Sequence, residues 1–146
     1  MKLFIALKND PANKKKQKRG FTLYSESGKV LTSGVAGVAK DDLKFSGYLT
    51  TINWALNRLK TLIDNRVLSD EDTITILINN KTIYNWLEKE KSPKEYVVKV
   101  SDIYTTLSYF NNPLEFIHSE STSSRVLFRD TSEDKGVKVT DLFSFQ

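Results

Sequence analysis

The chain contains 146 residues, 27% of them charged, with a formal net charge of +4 at pH 7; this length fits one domain with a sizeable core, and the mild basicity permits a nucleic-acid partner without requiring one. It has no cysteine and a single histidine, so disulfides, cysteine-bound zinc and multi-histidine metal sites are excluded, and a cytoplasmic location is expected. No apolar run approaches the roughly 20 residues of a membrane span, and the apolar N-terminal stretch is expected to be a strand rather than a signal peptide.

The first part of the chain is predicted to form three strands. Lys2–Lys8 is apolar and is followed by a polar loop over residues 9–19. Gly20–Ser25 and Val30–Val38 are predicted as the second and third strands, and Gly28 in the turn between them can adopt a positive φ. Strands joined by turns this short predict an antiparallel meander.

A long amphipathic helix is predicted next. Its apolar residues recur at steps of three and four, namely Phe45, Leu49, Ile52, Leu56, Leu59 and Ile63. A fully buried strand is predicted over Thr73–Ile78, and a second helix follows with Ile83, Trp86 and Leu87 on its apolar side.

The remaining elements complete an α/β pattern. The sequence Ser92-Pro93-Lys94-Glu95 resembles a capping box and predicts a third helix that runs to Phe110. Leu114–Ile117 is predicted as the fifth strand and residues 119–124 as a loop. The order β-β-β-α-β-α-α-β predicts one domain over residues 1–146: a mixed five-stranded sheet, three antiparallel strands and then parallel ones, flanked by helices, with residues 131–146 as a C-terminal extension.

A dense group of cations lies in the predicted loop after the first strand. Five of six consecutive residues are basic: Lys14, Lys15, Lys16, Lys18 and Arg19. Such a group can bind a phosphate backbone with salt-dependent affinity. It can equally be a solvated loop, and the sequence leaves both readings open.

The order and lengths of these elements resemble the ribonuclease H fold over roughly residues 2–130. The resemblance rests on topology and spacing rather than on a sharp motif. The matching segments are Lys2–Asp10, Gly20–Leu31, Gly47–Leu56, Ile76–Lys81 and Leu114–His118.

The resemblance implies a site of four carboxylates that hold two magnesium ions for phosphodiester cleavage. Its four positions fall on Asp10, on Tyr48, on Asn79 (or Asn80), and on Leu127 or Phe128, with Asp130 close but out of register. Neutral side chains cannot offset the charge of two hard cations. The resemblance therefore implies a degenerate site without metal, and the ring of Tyr48 is expected to fill the space of the ions.

The function expected from this resemblance is binding without hydrolysis. The ligand is expected to be nucleic acid (RNA, DNA or a hybrid), a protein partner, or both, with no cofactor and no membrane. The small size and the composition suit an accessory or inhibitor protein of a phage. The alternative is a metal-dependent nuclease that uses Mg²⁺ at rearranged carboxylates, with Asp10 as a catalytic residue. The acids considered for that alternative are Asp10, Glu26, Glu120 and Asp130.

Overall fold

The computed structural model describes residues 1–9, 12, 15–39 and 45–128. The strands are β1 Lys2–Asn9, β2 Lys16–Tyr24, β3 Val30–Ala39, β4 Ile74–Ile78 and β5 Leu114–His118. The helices are α1 Ser46–Asp64, α2 Lys81–Lys89, α3 Val97–Leu107 and α4 Thr122–Arg125, with a 3₁₀ turn at Lys94–Tyr96. The predicted extension over residues 131–146 lies outside the described residues.

The five strands form one mixed sheet in the order β3-β2-β1-β4-β5. β1 pairs antiparallel with β2, and β2 with β3, whereas β4 is parallel to both β1 and β5. The predicted fold class is confirmed. β1 is central and is covered on both faces, which explains its nearly continuous apolar sequence.

The larger core lies between the sheet and helices α1 and α3. Alternate residues of β1, among them Leu3 and Ile5, pack there against the apolar stripe of α1. The intervening residues Phe4 and Ala6 face the opposite side, where they pack with Val126 just after α4. The sheet thus has an α1 face, to which Leu3 and Ile5 belong, and an α4 face, to which Phe4 and Ala6 belong.

The predicted loop over residues 9–19 is wrong in its second half, because β2 begins at Lys16. The backbone of Lys16–Arg19 pairs with β1 on one side and with β3 on the other. This pairing places polar residues in a strand against their local preference, and the sequence alone does not show which residues pair across the strands.

Two predicted helix boundaries differ as well. The capping box does not form: Pro93 precedes a 3₁₀ turn, and no side chain caps either this turn or α3. Ser92 lies one residue too early, since a box requires the serine itself at the N-cap. The predicted loop over residues 119–124 contains the start of α4. None of the helices in the described part of the chain is long and apolar enough to cross a membrane.

Candidate functional site

The candidate site lies at the end of the two central parallel strands. Ile5 on β1 is in register with Ile78 on β4, so Asn79 follows β4 next to the middle of β1. Tyr48 lies in the first turn of α1 and is 5% exposed. The structure therefore brings together two of the four positions that the resemblance implies.

The hydroxyl group of Tyr48 connects three elements. It accepts a hydrogen bond from the backbone N–H of Asn79 at 3.0 Å. Its own hydrogen is within reach of the carbonyl oxygen of Ile5 at 2.5 Å and of Asn79 Oδ1 at 2.9 Å, and it donates to one of them at a time. α1, β1 and β4 are thus joined by neutral groups where the resemblance implies carboxylates around metal ions.

A tyrosine hydroxyl group is neutral at pH 7, and burial moves that of Tyr48 further from ionisation. Removal of Tyr48 from water raises its pKa well above the usual range, and the hydrogen bond from Asn79 N–H offsets only part of that rise. At neutral pH, Tyr48 is therefore a hydrogen-bonding link and contributes no negative charge.

Asn80 has a different role from Asn79. Its side-chain Oδ1 accepts from the backbone N–H of Ile83 at 3.0 Å, which caps the N-terminus of α2. Of the two asparagines, Asn79 is therefore the one whose side chain faces the Tyr48 hydroxyl group.

A cleft of about 650 Å³ opens beside Asn79 on the α4 face. β1 contributes Leu7 and Lys8 to its lining, and α4 with the following segment contributes Ser123, Ser124, Val126, Leu127 and Phe128. The predicted position Leu127 therefore meets Asn79 at this cleft. Asp10 lies outside the described residues.

The segment that follows α4 forms one wall of the cleft, and hydrogen bonds attach it to β2. The backbone N–H of Leu127 donates to Thr22 Oγ1 at 3.0 Å, and Tyr24 Oη donates to the carbonyl oxygen of Arg125 at 2.6 Å. Gly20 permits this approach, because a Cβ at that position would lie 3.0 Å from Val126 Cγ1 and 3.3 Å from the Phe128 ring. The apolar Leu127 thus lies in a packed segment.

The described lining of the cleft does not fit magnesium. It contains no carboxylate, and its charged residue is Lys8, which repels a cation. The Asn79 carboxamide oxygen already faces the Tyr48 hydroxyl. Within residues 1–9, 12, 15–39 and 45–128, no group of three or more histidine, aspartate and glutamate side chains could hold a metal ion.

The alternative acid cluster is not assembled from the described acids. Glu26 lies at the opposite end of the sheet, in the turn after β2, where the amino group of Met1 binds its carboxylate at 2.9 Å and lowers its pKa. Glu120 is exposed and lies 3.3 Å from His118 Nε2. Asp10 and Asp130 lie outside the described residues.

The described residues of the predicted basic group differ in their exposure to solvent. Lys15, Lys16 and Lys18 are exposed, whereas Arg19 is 9% exposed and its guanidinium packs on Gly47 of α1. A Cβ at Gly47 would lie 2.5 Å from Arg19 Cζ, so this glycine makes room for the buried cation. Lys14 lies outside the described residues.

Lys8 is a site residue that the sequence reasoning missed. It is directly opposite Lys18 in the β1–β2 register, and both side chains project on the α4 face. Lys8 lines the cleft, and Lys18 Nζ donates to the carbonyl oxygen of Phe128 at 3.4 Å. Only the register of the two strands reveals this pair.

Comparison with solved structures gives the fold. The chain is similar to RNase H1 from the halophilic archaeon Halobacterium salinarum NRC-1, with 12% identity over 92% of this chain and 97% of that chain and a TM-score of 0.63. The chain has a ribonuclease H-like fold.

Two further structures with this likeness contain nucleic acid. LC11-RNase H1 in complex with an RNA/DNA hybrid is 14% identical over 94% of this chain and 99% of that chain, with a TM-score of 0.67. The foamy viral protease-reverse transcriptase in complex with an RNA/DNA hybrid is 9% identical over 85% of this chain and 18% of that chain, with a TM-score of 0.57. No protein-family model and no curated protein matches the sequence. The TM-scores establish the ribonuclease H-like fold, and at identities this low the likeness shows the fold alone.

Proposed function

We propose that this ribonuclease H-like domain binds nucleic acid without hydrolysing it. The observation that carries the proposal is the hydrogen bonding of Tyr48 to Ile5 and Asn79. These bonds use the groups at the helix and strand positions where an active relative would present carboxylates to metal. The proposal accordingly includes no resident cofactor, and Mg²⁺ belongs only to the nuclease alternative.

The charge on the α4 face supports a nucleic-acid ligand. Lys8, Lys16 and Lys18 lie on adjacent strands and are all exposed. Lysines placed in this way contact phosphates and release counterions, which gives affinity without sequence readout. Two solved neighbours are recorded with an RNA/DNA hybrid, which makes a hybrid the first ligand to test.

A binding titration against salt tests the proposal. Labelled RNA/DNA hybrid, duplex DNA and single-stranded RNA are titrated with the protein at several chloride concentrations and without divalent metal. We expect the logarithm of the affinity to fall linearly with the logarithm of salt, by about 0.9 per contacted phosphate for a duplex. Absence of binding at low salt, or a flat salt response, contradicts the proposal.

The other expected features stay predictions. They are a protein partner, a role as a phage accessory or inhibitor protein, and a cytoplasmic location. A protein partner is tested by co-purification with the intact chain from its native cells, followed by reconstitution of the complex from the two purified proteins.

A further inference from the structure

We propose that the cleft beside Asn79 is an anion site in which Lys8 and Lys18 together bind a phosphate group. The cations of the protein would then occupy the region where the resemblance implies metal ions. This inference rests on the proposed nucleic-acid function for the source of the phosphate, but it concerns a site that can be tested separately.

Two like charges lie opposite each other on β1 and β2. Lys8 and Lys18 are direct partners in the antiparallel β1–β2 ladder. Cβ atoms of such partners lie about 4.5–5.5 Å apart, and like charges placed directly opposite each other destabilise a sheet. A bound anion between the two ammonium groups turns this repulsion into attraction.

Both side chains project on the α4 face of the sheet. Lys8 lines the cleft, and the bond from Lys18 Nζ to the Phe128 carbonyl oxygen places the second ammonium group at the same wall. An ammonium group has three hydrogens, so this bond leaves two for an anion. Lys8 therefore belongs to the lining, and the Lys18 ammonium group lies next to Phe128, another residue of the same lining.

The lining of the cleft also contains neutral hydrogen-bond donors. The Asn79 Oδ1 atom faces Tyr48, which leaves the amide NH₂ group as a donor, and α4 adds the hydroxyl group of Ser123. The rest of the described wall is mainly apolar, from Leu7 and the segment after α4. No described residue of the lining carries a negative charge that would repel a phosphate.

A matched pair of double variants tests the site. Lys8→Gln/Lys18→Gln removes the proposed cations. Lys29→Gln/Lys91→Gln removes two positive charges from a turn and from the end of α2, away from the cleft. Both variants have the same net charge, so a difference between them reports position. Lys8→Arg/Lys18→Arg serves as the rescue variant.

The first measurement is thermal unfolding with inorganic phosphate as the probe. Without phosphate, at low ionic strength, we expect Lys8→Gln/Lys18→Gln to unfold at a higher temperature than the wild type, because the like-charge repulsion is gone. Phosphate should raise the unfolding temperature of the wild type more than chloride of equal ionic strength does. That excess should be lost in Lys8→Gln/Lys18→Gln and kept in the control and rescue variants.

The second measurement is binding of labelled nucleic acid. We expect Lys8→Gln/Lys18→Gln to bind more weakly and to lower the salt slope by about one, because the two lysines share one phosphate contact. The rescue variant should restore the wild-type slope, and the control should keep it.

The outcomes distinguish failure of the proposed anion site from failure of the proposed nucleic-acid function. If the wild type binds nucleic acid and Lys8→Gln/Lys18→Gln binds it equally well, the site is refuted and the proposed function stands. If phosphate protection depends on these lysines but no nucleic acid binds, a free phosphate is the ligand and the proposed function falls. A lower unfolding temperature of Lys8→Gln/Lys18→Gln than of the control, without phosphate, means that the contacts of the two lysines within the protein, such as the bond from Lys18 to the Phe128 carbonyl oxygen, outweigh their mutual repulsion. This outcome refutes the paired-charge premise of the site.

Discussion

The backbone N–H of Asn79 donates to the hydroxyl oxygen of Tyr48 at 3.0 Å, and this bond ties the tip of β4 to the first turn of α1. The same hydroxyl group lies 2.5 Å from the carbonyl oxygen of Ile5 on β1. Strand tip, first strand and first helix are therefore joined through one neutral oxygen. This link needs neither a carboxylate nor a metal ion, and it can be removed with a single substitution.

Tyr48→Phe should destabilise the fold. The substitution keeps the buried ring but leaves the N–H of Asn79 without its acceptor, and an unsatisfied buried donor costs about 1–3 kcal/mol. The free energy of unfolding from a urea titration measures the loss. Tyr109→Phe is the control, because the side chain of Tyr109 is 62% exposed. Equal stabilities of the two variants would contradict the role of the Tyr48 hydroxyl.

The contribution of Tyr48 should also depend on pH in the alkaline range. Burial raises its pKa in the folded state, whereas an unfolded tyrosine ionises near its usual value of about 10. The stabilisation is therefore complete below pH 10 and is lost as the pH rises through and above that value, where only the unfolded chain releases the proton. The measurement is the difference in unfolding free energy between wild type and Tyr48→Phe from pH 8 to 11, which should shrink above pH 10. A constant difference would mean that Tyr48 ionises equally in both states.

The fold was largely readable from the sequence, and the site only in part. The apolar stripe from Phe45 to Ile63 predicts α1, and the apolar run that ends at Ile78 predicts β4. Both predictions are possible because helix and strand periodicities are local properties of a chain. The strand character of Lys16–Arg19 and the opposition of Lys8 to Lys18 depend on register instead. Register is fixed by partners distant in sequence, so a single sequence does not reveal it.

The hydrogen bonds of the candidate site were likewise not predictable. The resemblance assigns Tyr48 and Asn79 to two of the four implied metal-ligand positions, and the structure brings them into contact. The sequence does not show that the two adjacent asparagines have different roles. Asn80 caps α2, and Asn79 faces the cleft. Adjacent residues of the same type differ here only in the direction of their side chains.

Asn79→Asp should not create nuclease activity. It adds one carboxylate beside Lys8, whereas the wall at Leu127 stays apolar and Tyr48 stays neutral. Even if Asp10 is counted, two of the four implied carboxylates would still be absent, and the charge of two divalent cations would not be offset. The measurement is cleavage of a labelled RNA/DNA hybrid with Mg²⁺ and, separately, with Mn²⁺. Metal-dependent turnover by this single variant would refute the count of missing carboxylates.

The wild type should leave the same hybrid intact under both metal conditions. An active ribonuclease H serves as the positive control for substrate and buffer. If the wild type cleaves and Asp10→Ala does not, the nuclease alternative is correct and the non-catalytic proposal is wrong. If both cleave equally, the activity is independent of Asp10 and requires a separate test for a contaminating nuclease.

Gly34→Ala should destabilise the sheet at the packing of β3 against α1. A Cβ at Gly34 would lie 2.7 Å from Phe21 Cε1 and 2.9 Å from Trp54 Cη2, in a cluster where the two rings meet edge to face at 4.8 Å between centroids. Neither ring can move far in a close-packed core, so we expect a loss of about 1–3 kcal/mol in the free energy of unfolding. Gly37→Ala on the same strand is the matched control, because a Cβ there meets no atom within 4 Å. A loss in Gly34→Ala no greater than that in Gly37→Ala would mean that Phe21 and Trp54 can repack around the added methyl group.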